Sequence, residues 1–286
     1  MCLKGEQRVN AKPSETGFAE VNGARLYYEV AGAGHPLTLI HAGIADHQMW
    51  DDQFAAFAAR CRVIRYDLRG FGQSTLPPGP YSMVDDLRAL LATLGVERTY
   101  LLGCSMGGGI VIDFTLTHPD HVDALILVGS AISGRESSQG MRDAWAAVDA
   151  TFERDGLDAA NDLEVRIWVD GPHRTPDQAP SAVRERVRAM NRRIFERGPE
   201  FDATEGQKIA PPAAGRLSEI HAPTLVIVGD GDQPDIVANA EYLTHGPTSI
   251  PSTREVIMPG LGHVPNMEQP AEFNRIVLDF LAQIGG

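Results

Sequence analysis

Leu101-Leu102-Gly103-Cys104-Ser105-Met106-Gly107-Gly108-Gly109 lies between an apolar, β-branched run and a run free of helix breakers. Thr99 to Leu102 predicts a short buried strand and Gly109 to Leu116 a helix. Gly103 to Gly107 is then a G-x-S-x-G turn between strand and helix. A nucleophile must stand clear of the sheet while its neighbours pack closely, so the pattern predicts a strained, positive φ at Ser105. Side chains at 103 and 107 would collide with the flanking strand and helix, and glycine avoids the collision. A helix that starts at Met106 aims its free N–H groups and positive dipole end at the site where an oxyanion would form.

Working outward, the same rhythm continues. Leu37 to Ile40, Arg62 to Tyr66 and Leu125 to Val128 predict buried strands, and Asp51 to Ala59 predicts a helix. Ser82 and Asp85 form a capping signature for a second helix, whose apolar face is Val84, Leu87, Leu91 and Leu94 and whose stop is Gly95. Gly17 to Tyr28 alternates around Asn22-Gly23 and predicts a hairpin. Alternating strands and helices predict an α/β protein with a mostly parallel central sheet and helices on both faces.

The alternation stops near Ser133 and resumes at Pro223. Between them, Met141 to Arg154 and Ala182 to Arg197 have helical periodicity, and 134–222 is expected to be an inserted helical cap. Arg184, Arg186, Arg188, Arg192, Arg193 and Arg197 read as a solvated face paired with local glutamates. Strands at Thr224 to Val228 and Arg254 to Met258, with helices at Ile236 to Leu243 and Ala271 to Ile284, complete the pattern. The expected organisation is a flexible segment over 1–16, core over 17–133, cap over 134–222 and core over 223–286.

A chain of 286 residues can bury a large core, and its net charge of −13 argues against nucleic-acid and anionic-membrane partners. Cys2, Cys61 and Cys104 have no paired spacing, so neither a disulfide framework nor a zinc site is indicated. The start of the chain lacks an apolar signal region, and a cytoplasmic location is expected. There is no H-E-x-x-H and no G-x-G-x-x-G opening the first strand-to-helix turn, so neither a metal nor a nucleotide cofactor is expected. Asp67-Leu-Arg-Gly-Phe-Gly-Gln-Ser74 reads as a structural turn in which Asp67 bridges to Arg69.

In an open parallel sheet, ligands bind at the carboxyl ends of strands, where Ser105, Asp232 and His263 all fall. A serine hydroxyl needs an imidazole to take its proton, and the imidazole needs a carboxylate to fix its tautomer. Of nine histidines, His263 follows the last strand and suits the order nucleophile, acid, base. His118 and His121 lie at the far end of the helix after Ser105, while His41 and His47 border the expected oxyanion loop. Asp230, Asp232 and Asp235 follow one strand; Asp232 is preferred, with Asp230 the alternative. Backbone N–H groups of Gly43 and Met106 are the expected oxyanion donors, and one such donor is typically worth about 3 kcal/mol. Trp145, Phe152, Trp168 and Phe195 are candidates to line a substrate pocket under the cap.

Together, His41-Ala-Gly43 with Trp50, the turn at 67–74, GCSMGG at 103–108, VGDGD at 228–232 and GLGHVPNMEQPAEF at 260–273 resemble the α/β-hydrolase superfamily. HQMW before Asp51 and the overall size resemble its enol-lactonase and small-carboxylesterase branch. The resemblance implies the α/β-hydrolase fold, Ser105 as nucleophile, Asp232 as acid through its G-x-x-D spacing from Gly229, His263 as base, and Gly43 and Met106 as oxyanion donors. It implies cofactor-free hydrolysis of a small-molecule carboxylic ester or lactone through an acyl-serine. C–C bond hydrolysis, perhydrolysis and a slow-turnover receptor role would use the same residues. Ser105 sets the chain apart from the branch with an aspartate nucleophile, and Ala42 stands where many relatives have glycine.

Overall fold

Aliphatic and β-branched residues dominate the runs that become the central strands, and in the computed structural model, which describes residues 15–201 and 203–284, those strands are covered on both faces. The chain begins with β1 (Glu15–Val21) and β2 (Ala24–Ala31), joined through Asn22 and Gly23 at φ 46° and 79°. Positive φ at both turn residues matches the twist of a tight hairpin. β1 starts at Glu15, two residues before the boundary expected from sequence, and the remainder of the segment expected to be flexible lies outside the described residues. Next come β3 (Pro36–Ile40), α1 (Asp51–Ala58), β4 (Arg62–Tyr66), β5 (Gly79–Tyr81), α2 (Met83–Thr93), β6 (Thr99–Cys104), α3 (Met106–Thr117) and β7 (Val122–Val128). The Ser82 hydroxyl caps α2 by accepting from the Asp85 N–H at 3.1 Å.

Residues 134–222 carry α4 (Gln139–Asp155), α5 (Leu157–Val165), a π-helical turn (Arg166–Asp170), α6 (Ser181–Glu196), α7 (Gly198–Phe201) and the three-residue β8 (Thr204–Gly206). β8 pairs in parallel with β5, so this segment is stitched to the first part of the chain by a small second sheet. The chain ends with β9 (Thr224–Gly229), α8 (Pro234–His245), β10 (Thr253–Met258), α9 (Pro265–Glu268) and α10 (Pro270–Ile284).

The eight-stranded sheet has the order β1-β2-β4-β3-β6-β7-β9-β10; β2 is antiparallel to its neighbours and the other pairs are parallel. Successive strand residues face opposite layers. Leu102, Ile126 and Ile227 pack with Phe57 of α1 and Phe273 of α10, while Leu101, Leu127 and Val226 pack with Leu87 of α2, Val111 of α3 and Leu243 of α8. Burial of each such side chain contributes about 1.5–3 kcal/mol, so this double-sided core holds the three layers together. No helix among the described residues is long and apolar enough to cross a membrane.

Two local readings need correction. Asp67 does not bridge to Arg69. Its Oδ1 accepts from the His47 N–H at 2.8 Å and lies 2.7 Å from His47 Nδ1, its Oδ2 accepts from the Gln73 N–H at 2.8 Å, and Arg69 instead forks onto Asp86 at 2.7 and 2.8 Å. The arginines of α6 pair chiefly with aspartates of other elements rather than with local glutamates. Arg184 reaches Asp170, Arg186 reaches Asp52 at 2.6 Å, and Arg193 reaches Asp46. Asp46 and Asp52 belong to the loop after β3 and to α1, so charge ties α6 to the sheet domain.

Candidate active site

β6 ends at Cys104, α3 begins at Met106, and Ser105 between them has φ 54° and ψ −116°. A non-glycine residue held there costs of order 1–3 kcal/mol and persists only when its surroundings over-determine it. Here the Ser105 N–H donates to the Val128 carbonyl at 2.8 Å, and the Ser105 carbonyl accepts from Gly109 and Ala131 at 3.1 and 3.0 Å. The flanking glycines are needed for space. A Cβ at Gly103 would enter the Gly107 backbone, and one at Gly107 would enter the carbonyls of Ile40 and His41.

His263 occupies the loop between β10 and α9, and Asp232 the loop after β9. His263 Nδ1 lies 2.8 Å from Asp232 Oδ2, with both side chains 1% exposed. Asp232 Oδ1 accepts from the Gln233 N–H at 2.7 Å, so the carboxylate is held at both oxygens. The other two acids of this loop are engaged elsewhere: Asp230 accepts from the Gly260 N–H at 2.6 Å and Asp235 from the Ser138 N–H at 2.7 Å. The Trp168 ring sits 4.6 Å from the imidazole, centroid to centroid, and its carbonyl accepts from the His263 N–H at 3.3 Å.

Gly43 packs against the Met106 side chain, and among the described residues neither the Gly43 nor the Met106 N–H is used in a hydrogen bond. The histidines that border this loop have structural partners. His41 Nδ1 donates to the Ala42 carbonyl at 2.8 Å, while its Nε2 accepts from the Leu68 N–H at 3.0 Å. That arrangement defines a neutral tautomer, and burial lowers the pKa of His41 despite the nearby Asp67. For His47, burial opposes the charged form, but the hydrogen bond and charge of Asp67, together with Asp46, outweigh it and raise the pKa. Asp46, His47 and Asp67 bring possible ligand atoms together, yet their hydrogen bonds and the Asp46–Arg193 pair already account for the cluster.

Ser105 opens onto a cavity of about 730 Å³, within the range of ordinary small-molecule sites. Ser105, Gly109 and Asp113 line it at successive four-residue steps, the spacing that puts side chains on one helix face. Trp145 and Trp168 also line it. Phe152 and Phe195, candidates on sequence, lie outside this lining and stack on each other at 5.9 Å with ring planes 10° apart. Phe152 is seven residues beyond Trp145, about 10 Å further along α4, which carries it past the cavity. Sequence reading missed Tyr81 and Gln207, which the β5–β8 pairing brings to the cavity, and Asp113, whose signal was its helical phase with Ser105.

This combination of sheet order, strained turn at Ser105 and histidine–aspartate pair defines a class. The family model for the alpha/beta hydrolase fold matches residues 35–270, and the chain belongs to that family as a hydrolase. Among similar proteins, a Bacillus subtilis (strain 168) protein provisionally named a 2-succinyl-6-hydroxy-2,4-cyclohexadiene-1-carboxylate synthase is 32% identical over 234 residues, covering 78% of this chain and 82% of the relative. A 2-hydroxy-6-oxononadienedioate/2-hydroxy-6-oxononatrienedioate hydrolase of Paraburkholderia phymatum is 29% identical over 268 residues, 91% of each chain. The crystal structure of the enol-lactonase from Burkholderia xenovorans LB400 superposes with a TM-score of 0.73 at 25% identity, covering 93% of this chain and 100% of that one.

Proposed function

We propose that the protein hydrolyses a small-molecule carboxylic ester or lactone through an acyl-serine intermediate, with Ser105, His263 and Asp232 as its triad and the helices of 134–222 as a cap over the substrate. The observation that carries this reading is the buried 2.8 Å contact between His263 and Asp232 in the same structure that strains Ser105 open to a large cavity.

In this mechanism Ser105 Oγ attacks the substrate carbonyl as His263 Nε2 takes its proton, and Asp232 fixes the imidazole through Nδ1 and stabilises its positive charge. The N–H groups of Gly43 and Met106 stabilise the oxyanion at the N-terminus of α3; one donor of this kind is worth about 3 kcal/mol. His263 returns the proton to the leaving alkoxide. A water activated by the same imidazole then cleaves the acyl-serine, releasing the acid and restoring Ser105. Trp168, against the imidazole, covers the base, and Trp145 bounds the acyl or alcohol part of the substrate.

The test is steady-state hydrolysis of p-nitrophenyl esters from acetate to decanoate, with simple lactones, by the wild type and Ser105→Ala. Turnover lost in the variant supports the mechanism, whereas equal turnover by both removes it. The Paraburkholderia relative's name favours C–C bond hydrolysis as the second reading; turnover of a vinylogous diketone with no ester or lactone turnover would establish that one instead.

A further inference from the structure

The α3 face that begins at Ser105 ends in a charged residue that the proposed chemistry does not use. Asp113 lies eight residues on, about 12 Å along the helix axis, and lines the same cavity. It is 8% exposed. Its Oδ1 accepts from the Ser133 hydroxyl at 2.7 Å, and that hydroxyl accepts in turn from the Ala213 N–H at 2.9 Å, so the carboxylate is fixed by a chain of two hydrogen bonds. Among the described residues, no donor reaches its second oxygen.

A clamp between α3 and the loop after β7 needs only one oxygen. The second oxygen is not sealed in the interior but faces the cavity, where water or a ligand donor can bond it. The cations at this end are not paired with it either. Arg135 donates to Asn239 at 3.2 Å and lies over the Tyr242 ring, Arg216 is bonded to Glu219 at 2.8 Å, and Lys208 forms no ion pair with Asp113. Burial pushes the Asp113 carboxyl above the ordinary aspartate value, against the opposing effects of the Ser133 hydrogen bond and the charges of Lys208 and Arg216. A ligand donor at this oxygen would take the place of cavity water on an acceptor that the Ser133 hydrogen bond already holds in position.

We propose that Asp113 is a distal specificity site that selects substrates carrying a hydroxyl or amine donor at the end of an acyl chain long enough to reach from Ser105 along the roughly 12 Å of helix to Asp113. The substrate class is then an ω-hydroxy- or ω-aminoacyl ester, or a lactone with such a side chain, rather than a plain alkyl ester. Asp113, Glu136 and Asp235 line this cavity together with Arg135 and Lys208, so the selection rests on the acceptor at Asp113 and not on a net negative wall. The proposal relies on the serine-hydrolase reading only for the position of the scissile bond.

The experiment compares p-nitrophenyl octanoate with p-nitrophenyl ω-hydroxyoctanoate in the wild type, Asp113→Asn and Asp113→Ala. The quantity read is the hydroxyl-over-methyl ratio of kcat/KM within each protein, with the thermal midpoint recorded for each. A hydrogen bond to a charged acceptor predicts that both substitutions lower this ratio at least about tenfold. A merely structural aspartate would depress both esters together, and an unchanged ratio in both variants overturns the proposal. Calorimetric binding of the same two esters to Ser105→Ala, with and without Asp113→Asn, reads the subsite without catalysis. A hydroxyl preference that disappears with Asp113→Asn supports the subsite even if the wild type turns over no ester, which would defeat the hydrolase reading alone. Equal affinities in Ser105→Ala overturn it.

Discussion

Gly129, at the end of β7, offers a way to disturb the histidine–aspartate pair without touching either residue. It has φ +48°, and a Cβ built there would stand 3.2 Å from Asp232 Oδ2 and 3.2 Å from His263 Nδ1. Both partners of the 2.8 Å contact would have to give by a few tenths of an ångström. Gly129→Ala therefore has two effects. Placing an L-residue in the left-handed region costs about 1–2 kcal/mol, which for a chain of this size lowers the thermal midpoint by roughly 2–4 °C per kcal/mol. Displacement of His263, the proposed base, is the larger functional effect: about 1 Å of misplacement can cost 10²-fold, so a few tenths should lower kcat/KM about tenfold. Gly95→Ala separates the two. Gly95 has φ +65°, and no heavy atom outside its chain neighbours lies within 4 Å of its Cβ position, so it carries the backbone cost without the contact. The assay is p-nitrophenyl acetate hydrolysis alongside thermal unfolding for both variants. Wild-type kcat/KM in Gly129→Ala, or an equal loss in Gly95→Ala, would refute the reasoning.

Three further outcomes are expected. Because the folded-state pKa of His47 is raised, the stability it contributes is complete below the unfolded value of about 6.5 and is lost as pH rises through the folded value. The thermal midpoint should fall over that window in the wild type and fall less in His47→Gln, measured in buffers of matched ionic strength. Arg174 forks onto Glu268 at 2.6 and 3.1 Å, with the two side chains 9% and 1% exposed, and Glu268 also accepts from the Gly262 N–H beside His263. Arg174→Met should cost about 3–5 kcal/mol in denaturant unfolding by leaving a buried carboxylate without its cation. Trp145→Ala should raise KM for octanoate up to about tenfold while changing acetate little, whereas Phe152→Ala should leave both values unchanged, as steady-state kinetics will show.

The central sheet and its helices were legible because the strands are short aliphatic runs bounded by glycine, aspartate or proline, and because the helices keep a 3.6-residue apolar period. The turn at Ser105 was legible for a stricter reason: glycines at 103 and 107 are the residues that the close approach of the Gly107 backbone and the Ile40 and His41 carbonyls permits. Helical periodicity over Met141 to Arg154 did not say how far the cavity runs along α4, which is why Trp145 and Phe152, both 44% exposed, looked alike. The π-helical turn that lays Trp168 against His263 depends on an i→i+5 bond from the Gly171 N–H to the Arg166 carbonyl, and composition carries no sign of that. Nor does it announce β5 and β8, three residues each, which meet only because the two parts of the chain are already folded together. Charged partners were the least legible, as Asp67 and the α6 arginines show, because long side chains choose among acids distant in sequence.

The central claim is that Ser105 is a nucleophile activated by His263, and active-site labelling tests it most directly. Intact-mass analysis after incubation with a fluorophosphonate should show one phosphonyl adduct on the wild type, mapped by peptide sequencing to Ser105, none on Ser105→Ala, and strongly slowed labelling of His263→Gln. No adduct on a folded wild type, or an undiminished adduct on Ser105→Ala, would contradict the account.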